Sequence, residues 1–337
     1  MKAARLHGEN DLRVEDVPDP EAGPGEAVVA VHASGVCPSD IRSYTGSGAA
    51  KRAPWTPGHE VAGVITELGD GPTGGFSVGD RVVLDWRQVC GRCHECTRGA
   101  ANFCENLVKL PIAGFAESTV IPVGQLHAVP DGLSLSAASF CEPLACVVNA
   151  HRGMAMPPAC DVLVVGAGPI GLLHTQMARA RGARVIVTDM KTDRLAIATR
   201  LGAHDVVDAG GDTRAEVRAL TGGRGADVVI VTVGAPAVIA SAFGLAARNG
   251  TVNLFAGTHP KGVVELNPDV PHYDQIAITG SHDFIPHDFA TALRLLRFGM
   301  VDAAPLISHR FSLDSVADAF ETTRRQKGLK SLIVTGS

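Results

Sequence analysis

The strongest chemical pattern in the chain is Cys90-x2-Cys93-x2-Cys96-x7-Cys104. Four thiolates in one short loop, with Gly91 and Gly99 to bend it, fit a closed tetrahedral zinc site with all-cysteine ligands. Such a site leaves no coordination position open, so its work is to hold the surrounding lobe, residues 88–106, together. His94 lies inside the loop and is read as a solvated surface residue. A second donor set is more dispersed: Cys37 in GVCPSD, then His59 and Glu60 in GHE. One soft and two harder donors also suit Zn2+. Taken singly, a cysteine is as readily a small buried apolar side chain.

The third pattern binds rather than reacts. In DVLVVGAGPIGLLHTQMARARGARVIVTD, residues 161–189, an apolar run leads into Gly166-Ala167-Gly168-Pro169-Ile170-Gly171. An amphipathic run follows, with Ile170, Leu173, Met177 and Ala180 on one face, and a second apolar run ends at Asp189. Strand, glycine turn, helix and strand make a βαβ unit with the dinucleotide fingerprint. Gly166 permits the tight turn, Gly168 lets backbone approach a pyrophosphate, and Gly171 allows helix and strand to pack closely. Asp189 is spaced to accept from the ribose hydroxyls and to repel a 2′-phosphate. Lys191 and Arg194, just beyond it, favour a phosphate there. The carboxylate makes NAD the expected cofactor, with NADP second.

Elements must carry these residues to their places. Before residue 160 the pattern is of short strands, Lys2–Leu6, Leu12–Val17 and Ala27–His32, with no βαβ alternation. After it, strand and helix alternate: helices over Thr192–Leu201, Arg214–Leu220 and Pro236–Ala247, and strands over Asp205–Val207, Asp227–Val233, Thr251–Ala256 and Ile276–Gly280. That alternation predicts a parallel sheet with helices on both faces. Val233 and Ala256 fall in loops at carboxyl ends of strands, where open α/β sheets bind ligands. Phe289–Arg297 and Leu313–Arg325 read as helices, and Leu329–Val334 as a closing strand.

Composition narrows the function classes. The 337 residues are 45% apolar, with net charge −5 and no basic run, which argues against nucleic acid as the main partner. No apolar stretch reaches the roughly 20 residues that span a bilayer, and MKAARLHGEN has no h-region. A cytoplasmic protein is expected, in which eight cysteines serve metals before disulfides.

With these residues in view, the chain resembles the zinc-dependent medium-chain alcohol dehydrogenases, on their sorbitol, idonate and threonine dehydrogenase branch. GVCPSD, GHEVAG, GDRV, the four-cysteine lobe, CEPLAC at 141–146, VGAGPIG and LISHRFSLDSVADAFET at 306–322 carry the likeness in family order. The resemblance implies an α/β protein with a GroES-like β-rich catalytic domain (1–147), a Rossmann NAD-binding domain (148–284) and a C-terminal return to the first (285–337). It implies Cys37 and His59 as ligands of a catalytic zinc. Glu142 is third, directly or through water, and Glu60 is an alternating ligand or a neighbour to it. Ser39 would relay the substrate proton. Cys141 is a rival to Glu142, and in an extended segment a one-residue slip reverses the side chain. Ser281 and His282 are placed near the nicotinamide, with Arg194 near the cofactor.

The expected activity is hydride transfer between a secondary alcohol, polyol or cyclitol-like, and NAD, with about two zinc ions per chain. An amino alcohol (threonine or an aminocyclitol) is the alternative, and a zinc-free quinone or enone reductase a more distant one. A homodimer or homotetramer is the family habit. Three departures stand out. Pro38 follows the zinc cysteine and is expected to stiffen a turn. Arg42 stands where many relatives place a relay histidine. It cannot release a proton near neutrality, and phosphate, an anionic substrate group and a surface carboxylate are all open partners for it. The short stretch from Cys104 to Gly114 implies an open substrate cleft, with Tyr44 and Trp55 as candidate wall residues.

Overall fold

The computed structural model describes residues 1–46 and 54–335. Two compact units emerge: Met1–Pro143 with Ile285–Phe298 and Ala303–Ser337, and Leu144–Phe284 with Gly299–Asp302. The first stretch of chain runs β1 (Lys2–Gly8), β2 (Asp11–Asp16), β3 (Glu26–Gly35), α1 (Pro38–Tyr44), β4 (Glu60–Leu68), β5 (Arg81–Leu84), β6 (Arg87–Gln88), α2 (His94–Thr97), β7 (Val108–Lys109), β8 (Ser118–Pro122), β9 (Leu126–Ala128), α3 (Leu135–Ala138) and α4 (Cys141–Arg152). The second runs β10 (Asp161–Val165), α5 (Pro169–Ala180), β11 (Arg184–Asp189), α6 (Thr192–Arg200), β12 (Asp205–Asp208), α7 (Thr213–Leu220), β13 (Ala226–Val231), α8 (Pro236–Ala242), β14 (Ala246–Leu254), α9 (Asp269–Tyr273) and β15 (Ala277–Gly280). The chain then returns with α10 (Pro286–Arg297), β16 (Ile307–Phe311), α11 (Val316–Arg324) and β17 (Lys330–Val334).

The first unit is β-rich, as its short apolar runs predict. Its main sheet is ordered β16-β17-β3-β4-β5-β9, with β8 also paired to β3. Strand β3 is its long member, and Ala27, Val29 and Val31 face a core shared with Val61, Ile65, Val82, Leu84 and Ile121. Closing strand β17 lies antiparallel to β3, with Leu332 opposite Gly35. Strand β4 pairs on the other side of β3, with Glu60 opposite Gly35. Residues near the two ends of the sequence thus meet around Gly35.

The second unit holds six parallel strands in the order β12-β11-β10-β13-β14-β15. This is the doubly wound order whose switch point lies between the first and fourth strands of the unit, β10 and β13. Every residue of β10 is buried, which explains its continuous apolar run. One expectation fails locally. Pro236–Ala247 reads as helix, yet α8 stops at Ala242, a 3₁₀ turn covers Phe243–Leu245, and β14 begins at Ala246, so this strand starts well before Thr251. Ala246 and Ala247 are strong helix formers by propensity, but here they are buried positions of β14, with Ala246 paired to Ala226 of β13.

Candidate active site

All residues of the candidate catalytic metal site belong to the first unit. Cys37 ends the connection from β3 and caps helix α1, while His59 and Glu60 stand at the entry to β4. Pro38 occupies the first helical position, where the missing N–H is not needed. It therefore starts a helix rather than stiffening a turn. Sulfur of Cys37, a ring nitrogen of His59 and a carboxylate oxygen of Glu60 lie within 4.8 Å of one another.

Neighbours hold this set in place. Asp40, 3% exposed, accepts from the Cys37 backbone N–H at 2.9 Å and faces His59 Nδ1 at 3.5 Å. Burial works against charge on His59, but the Asp40 carboxylate and the Cys37 sulfur outweigh it and raise the imidazole well above its ordinary range. A cluster that draws a proton onto a buried imidazole is one that favours positive charge at His59. A dication beside a thiolate and a histidine answers that demand. Glu60 is buried and paired with buried Lys330, whose Nζ lies 2.7 and 2.6 Å from its two oxygens. Burial opposes the Lys330 charge too, yet Glu60 and Cys37 keep it above the usual lysine range. Gly35 makes room for the pair: a Cβ there would lie 1.9 Å from Glu60 Oε2.

Glu142 sits in the first turn of α4 and is buried. Its Oε1 accepts from Trp86 Nε1 at 3.1 Å, and it stands outside the three-residue donor set. The Trp86 ring meets His59 edge-on, with centroids 6.0 Å apart. The segment is helical, not extended, so Cys141 and Glu142 diverge by about 100° rather than reversing. Cys141 is fully buried, its Sγ lies 3.4 Å from the Phe289 carbonyl, and burial pushes its thiol well up. Ser39 is half-buried in the first turn of α1, and Arg42 lies in its last turn.

The four loop cysteines converge, with all sulfurs within 4.8 Å of one another. Cys93 and Cys104 sulfurs are 3.9 Å apart, and a tetrahedral zinc–thiolate site has an edge of about 3.8 Å. Backbone N–H groups of Cys90 and Cys93 point at Cys104 and Cys90 sulfur at 3.3 and 3.4 Å. The backbone N–H of Arg92 and the Asn106 amide lower the Cys90 thiol to about 6, while burial and the thiols of Cys93 and Cys104 push Cys96 up to about 12. Four such thiols fit one ion that would accept them all as thiolates.

In the second unit the fingerprint turn follows β10. Gly166 has φ +102°, its N–H donates to Thr188 O at 2.8 Å, and a Cβ on Gly171 would lie 1.8 Å from Gly166 O. Gly168 caps α5, with Pro169 and Ile170 opening the helix. Asp189 accepts from Ala167 N at 2.7 Å and Lys191 N at 2.8 Å, so the carboxylate is fixed beside the turn. Arg194 reaches over Gly168, its Nη1 3.9 Å from where a Cβ would stand. Val233, Ala256 and Ser281 follow the carboxyl ends of β13, β14 and β15, and Ser281 Oγ lies 3.4 Å from Asn253 Oδ1. His282 is exposed and pairs with Asp283 at 3.3 Å. Sequence reasoning did not single out Asp40, Trp86 or Lys330. The lysine inside the apolar run LKSLIV was the available signal for the last.

Comparison with known proteins agrees with this geometry. Residues 23–131 match the alcohol dehydrogenase GroES-like domain and residues 169–297 the zinc-binding dehydrogenase domain. A sorbitol dehydrogenase of Halalkalibacterium halodurans is 34% identical over 97% of this chain and 96% of its own length. An L-threonine 3-dehydrogenase of Rhizobium etli is 31% identical over 96% and 95%. The structure of a candidate zinc-binding dehydrogenase from Sinorhizobium meliloti 1021, bound to NADP, superposes with TM-score 0.90 and 30% identity over 99% of this chain and 98% of that one. The chain belongs to the zinc-dependent medium-chain alcohol dehydrogenases, on their sorbitol, idonate and threonine dehydrogenase branch.

Proposed function

We propose that this enzyme oxidises a secondary alcohol of a polyol or cyclitol, passing hydride to NAD through a site built on Cys37 and His59, and reduces the matching ketone in reverse. The observation that carries the reading is the convergence of Cys37, His59 and Glu60 within 4.8 Å. Bound zinc supplies Lewis-acid polarisation of the alcohol oxygen, and the nicotinamide supplies the hydride acceptor. The chain's residues do the rest. Cys37 and His59 hold the ion. Asp40 orients the His59 ring, and Glu60 with Lys330 fixes the charge behind it. Glu142 stands as a third ligand or acts through water, and Ser39 takes the substrate proton. Cys90, Cys93, Cys96 and Cys104 hold a second, structural ion. Gly166, Gly168, Pro169, Ile170 and Gly171 cradle the pyrophosphate, and Asp189 accepts from the ribose. Arg194, Val233, Ala256 and Ser281 line the rest of the cofactor's path. The fixed Asp189 carboxylate supports NAD over NADP.

A second reading, an amino alcohol substrate, is favoured by the threonine dehydrogenase likeness. A zinc-free quinone or enone reductase has no use for the Cys37, His59 and Glu60 convergence. A homodimer or homotetramer is part of the proposal. Strand β15 is an open sheet edge with Ile278 40% exposed, and Tyr273 nearby is 75% exposed. Such an edge favours pairing with a copy of itself. No disulfide joins any of the eight cysteines among the described residues, which supports a cytoplasmic location, and no helix among the described residues is long and apolar enough to cross a membrane.

The test is metal content with turnover. Wild-type protein should carry about two zinc ions per chain, and Cys37→Ser about one, with turnover abolished and NADH binding kept. A Cys37→Ser protein that keeps full activity sinks the assignment. A panel of polyols, cyclitols and amino alcohols, followed by NADH absorbance, separates the two substrate readings.

A further inference from the structure

We propose that Trp86 is a positioning residue for Glu142: its indole N–H holds Oε1 of the carboxylate and so sets how Glu142 is presented to an ion at the Cys37, His59 and Glu60 donor set. The inference rests on the metal reading above and goes beyond it by assigning what governs Glu142.

Trp86 is well placed to do this. It sits in the short link between β5 and β6, and its backbone carbonyl accepts from Leu110 N at 2.9 Å. Its ring is half-buried and packs against the core that includes Leu84 and Ile112. One edge meets His59 at 6.0 Å between centroids. Its Nε1 reaches Glu142 Oε1 at 3.1 Å. One side chain thus touches both a candidate metal ligand and the carboxylate whose ligation is in question.

The chemistry of indole makes the contact one-way. Its N–H donates and cannot accept, so the oxygen it meets is held as an acceptor whatever the pH. Two cations strengthen the donor. Lys109 Nζ lies 5.6 Å and Arg87 Cζ 5.7 Å from the ring centroid. Positive charge at the ring draws electron density from it and makes the N–H a better donor. With Oε1 held by the indole, the carboxylate can offer an ion Oε2 or the remaining lone pair of Oε1, so the N–H fixes the direction from which Glu142 can reach it. Partners that hold a metal-side group this way change metal affinity by about 10–100-fold when removed.

Trp86→Phe keeps the ring against His59 and deletes only the donor. The first measurement is the visible spectrum of the protein with Co2+ at the catalytic site. Trp86→Phe should alter the cobalt bands and shift Co2+ affinity by about tenfold or more. It should lower kcat with little change in KM. Trp86→His, whose ring can still donate, should recover part of each effect. Glu142→Gln should abolish the difference, so that Glu142→Gln and the double variant share one cobalt spectrum. The second measurement needs neither metal nor activity. The chain has two tryptophans, and Trp55 Nε1 is buried with no hydrogen-bond partner among the described residues. In a Trp55→Phe background, the emission of metal-free protein reports Trp86 alone, and Glu142→Ala should shift it. Unchanged cobalt bands and affinity in Trp86→Phe, or Trp86 emission indifferent to Glu142→Ala, overturn the proposal. If wild type nevertheless holds about two zinc ions and Cys37→Ser about one, the metal reading stands and only the role of Trp86 falls. If Cys37→Ser loses no zinc, the underlying reading fails on its own.

Discussion

Glu60 shows how single residues decide what a site can be. Its carboxylate is buried against Lys330, and the pair fits only because Gly35 has no Cβ. Removing one partner of a buried ion pair strands the other charge and costs about 3–5 kcal/mol. Lys330→Met should therefore destabilise the first unit by about that amount, read by urea denaturation, and Glu60→Gln added to it should restore much of the loss. A single variant as stable as wild type would show the pair to be ornamental. Asp189 is held as firmly, by the backbone N–H groups of Ala167 and Lys191. Asp189→Ala should weaken NAD and admit NADP, with Arg194 nearby to meet the added phosphate. An unchanged ratio of NAD to NADP turnover counts against the ribose contact. Asp189 was legible because the fingerprint fixes its spacing locally. Lys330 was not, because its partner lies 270 positions away and no local pattern joins them.

Among elements, the strands and helices of the second unit were largely legible, since each β–turn–α step is written in one continuous stretch. One failure was a boundary and one an element type. Helix α8 yields to β14 because pairing of Ala246 with Ala226 and burial of Ala246 and Ala247 override their helix propensity. CEPLAC reads as extended, yet Cys141–Arg152 is helix α4. That helix also carries His151, whose Nε2 lies 3.0 Å from Nδ1 of His174 on α5, the helix that follows the glycine turn. Both imidazoles are buried. Burial lowers both, with His174 and Arg181 adding to the effect on His151, and His174 falls to about 3. An unfolded histidine takes up a proton below about 6.5, whereas folded His174 resists until about 3. Between those limits the unfolded state binds more protons, so stability drains as pH falls. The slope is about 1.4 kcal/mol per pH unit for one such group. His174→Gln should flatten the acid limb of the second unit's stability curve between pH 7 and 4 by up to that slope. An acid limb of unchanged steepness would remove the pair from any account of pH sensitivity.

At the scale of the molecule, the first unit is discontinuous and the second is nearly continuous in sequence. The seven strands of the first unit's sheet include β16 and β17, which arrive after the whole of Leu144–Phe284 has been made. Strand β17 is internal to that sheet, between β16 and β3, and buries Leu332 and Ile333 completely. It also delivers Lys330 to Glu60. Losing it would expose the hydrogen-bonding edge of β3, open a core that includes Phe115, Phe320 and Val36, and strand the Glu60 charge. The second unit has its own sheet and its own core around Leu163, Ile186, Val229 and Val252, and none of these residues depends on β17 for a sheet partner. A chain ending at Leu329 should therefore lose the cooperative unfolding of the first unit and the zinc held at Cys37 and His59. The second unit's transition should survive. Urea denaturation followed by circular dichroism, with zinc counted in parallel, reads both. Collapse of the two transitions together would mean that the second unit cannot stand without the first, and that the separate cores are not separate in stability.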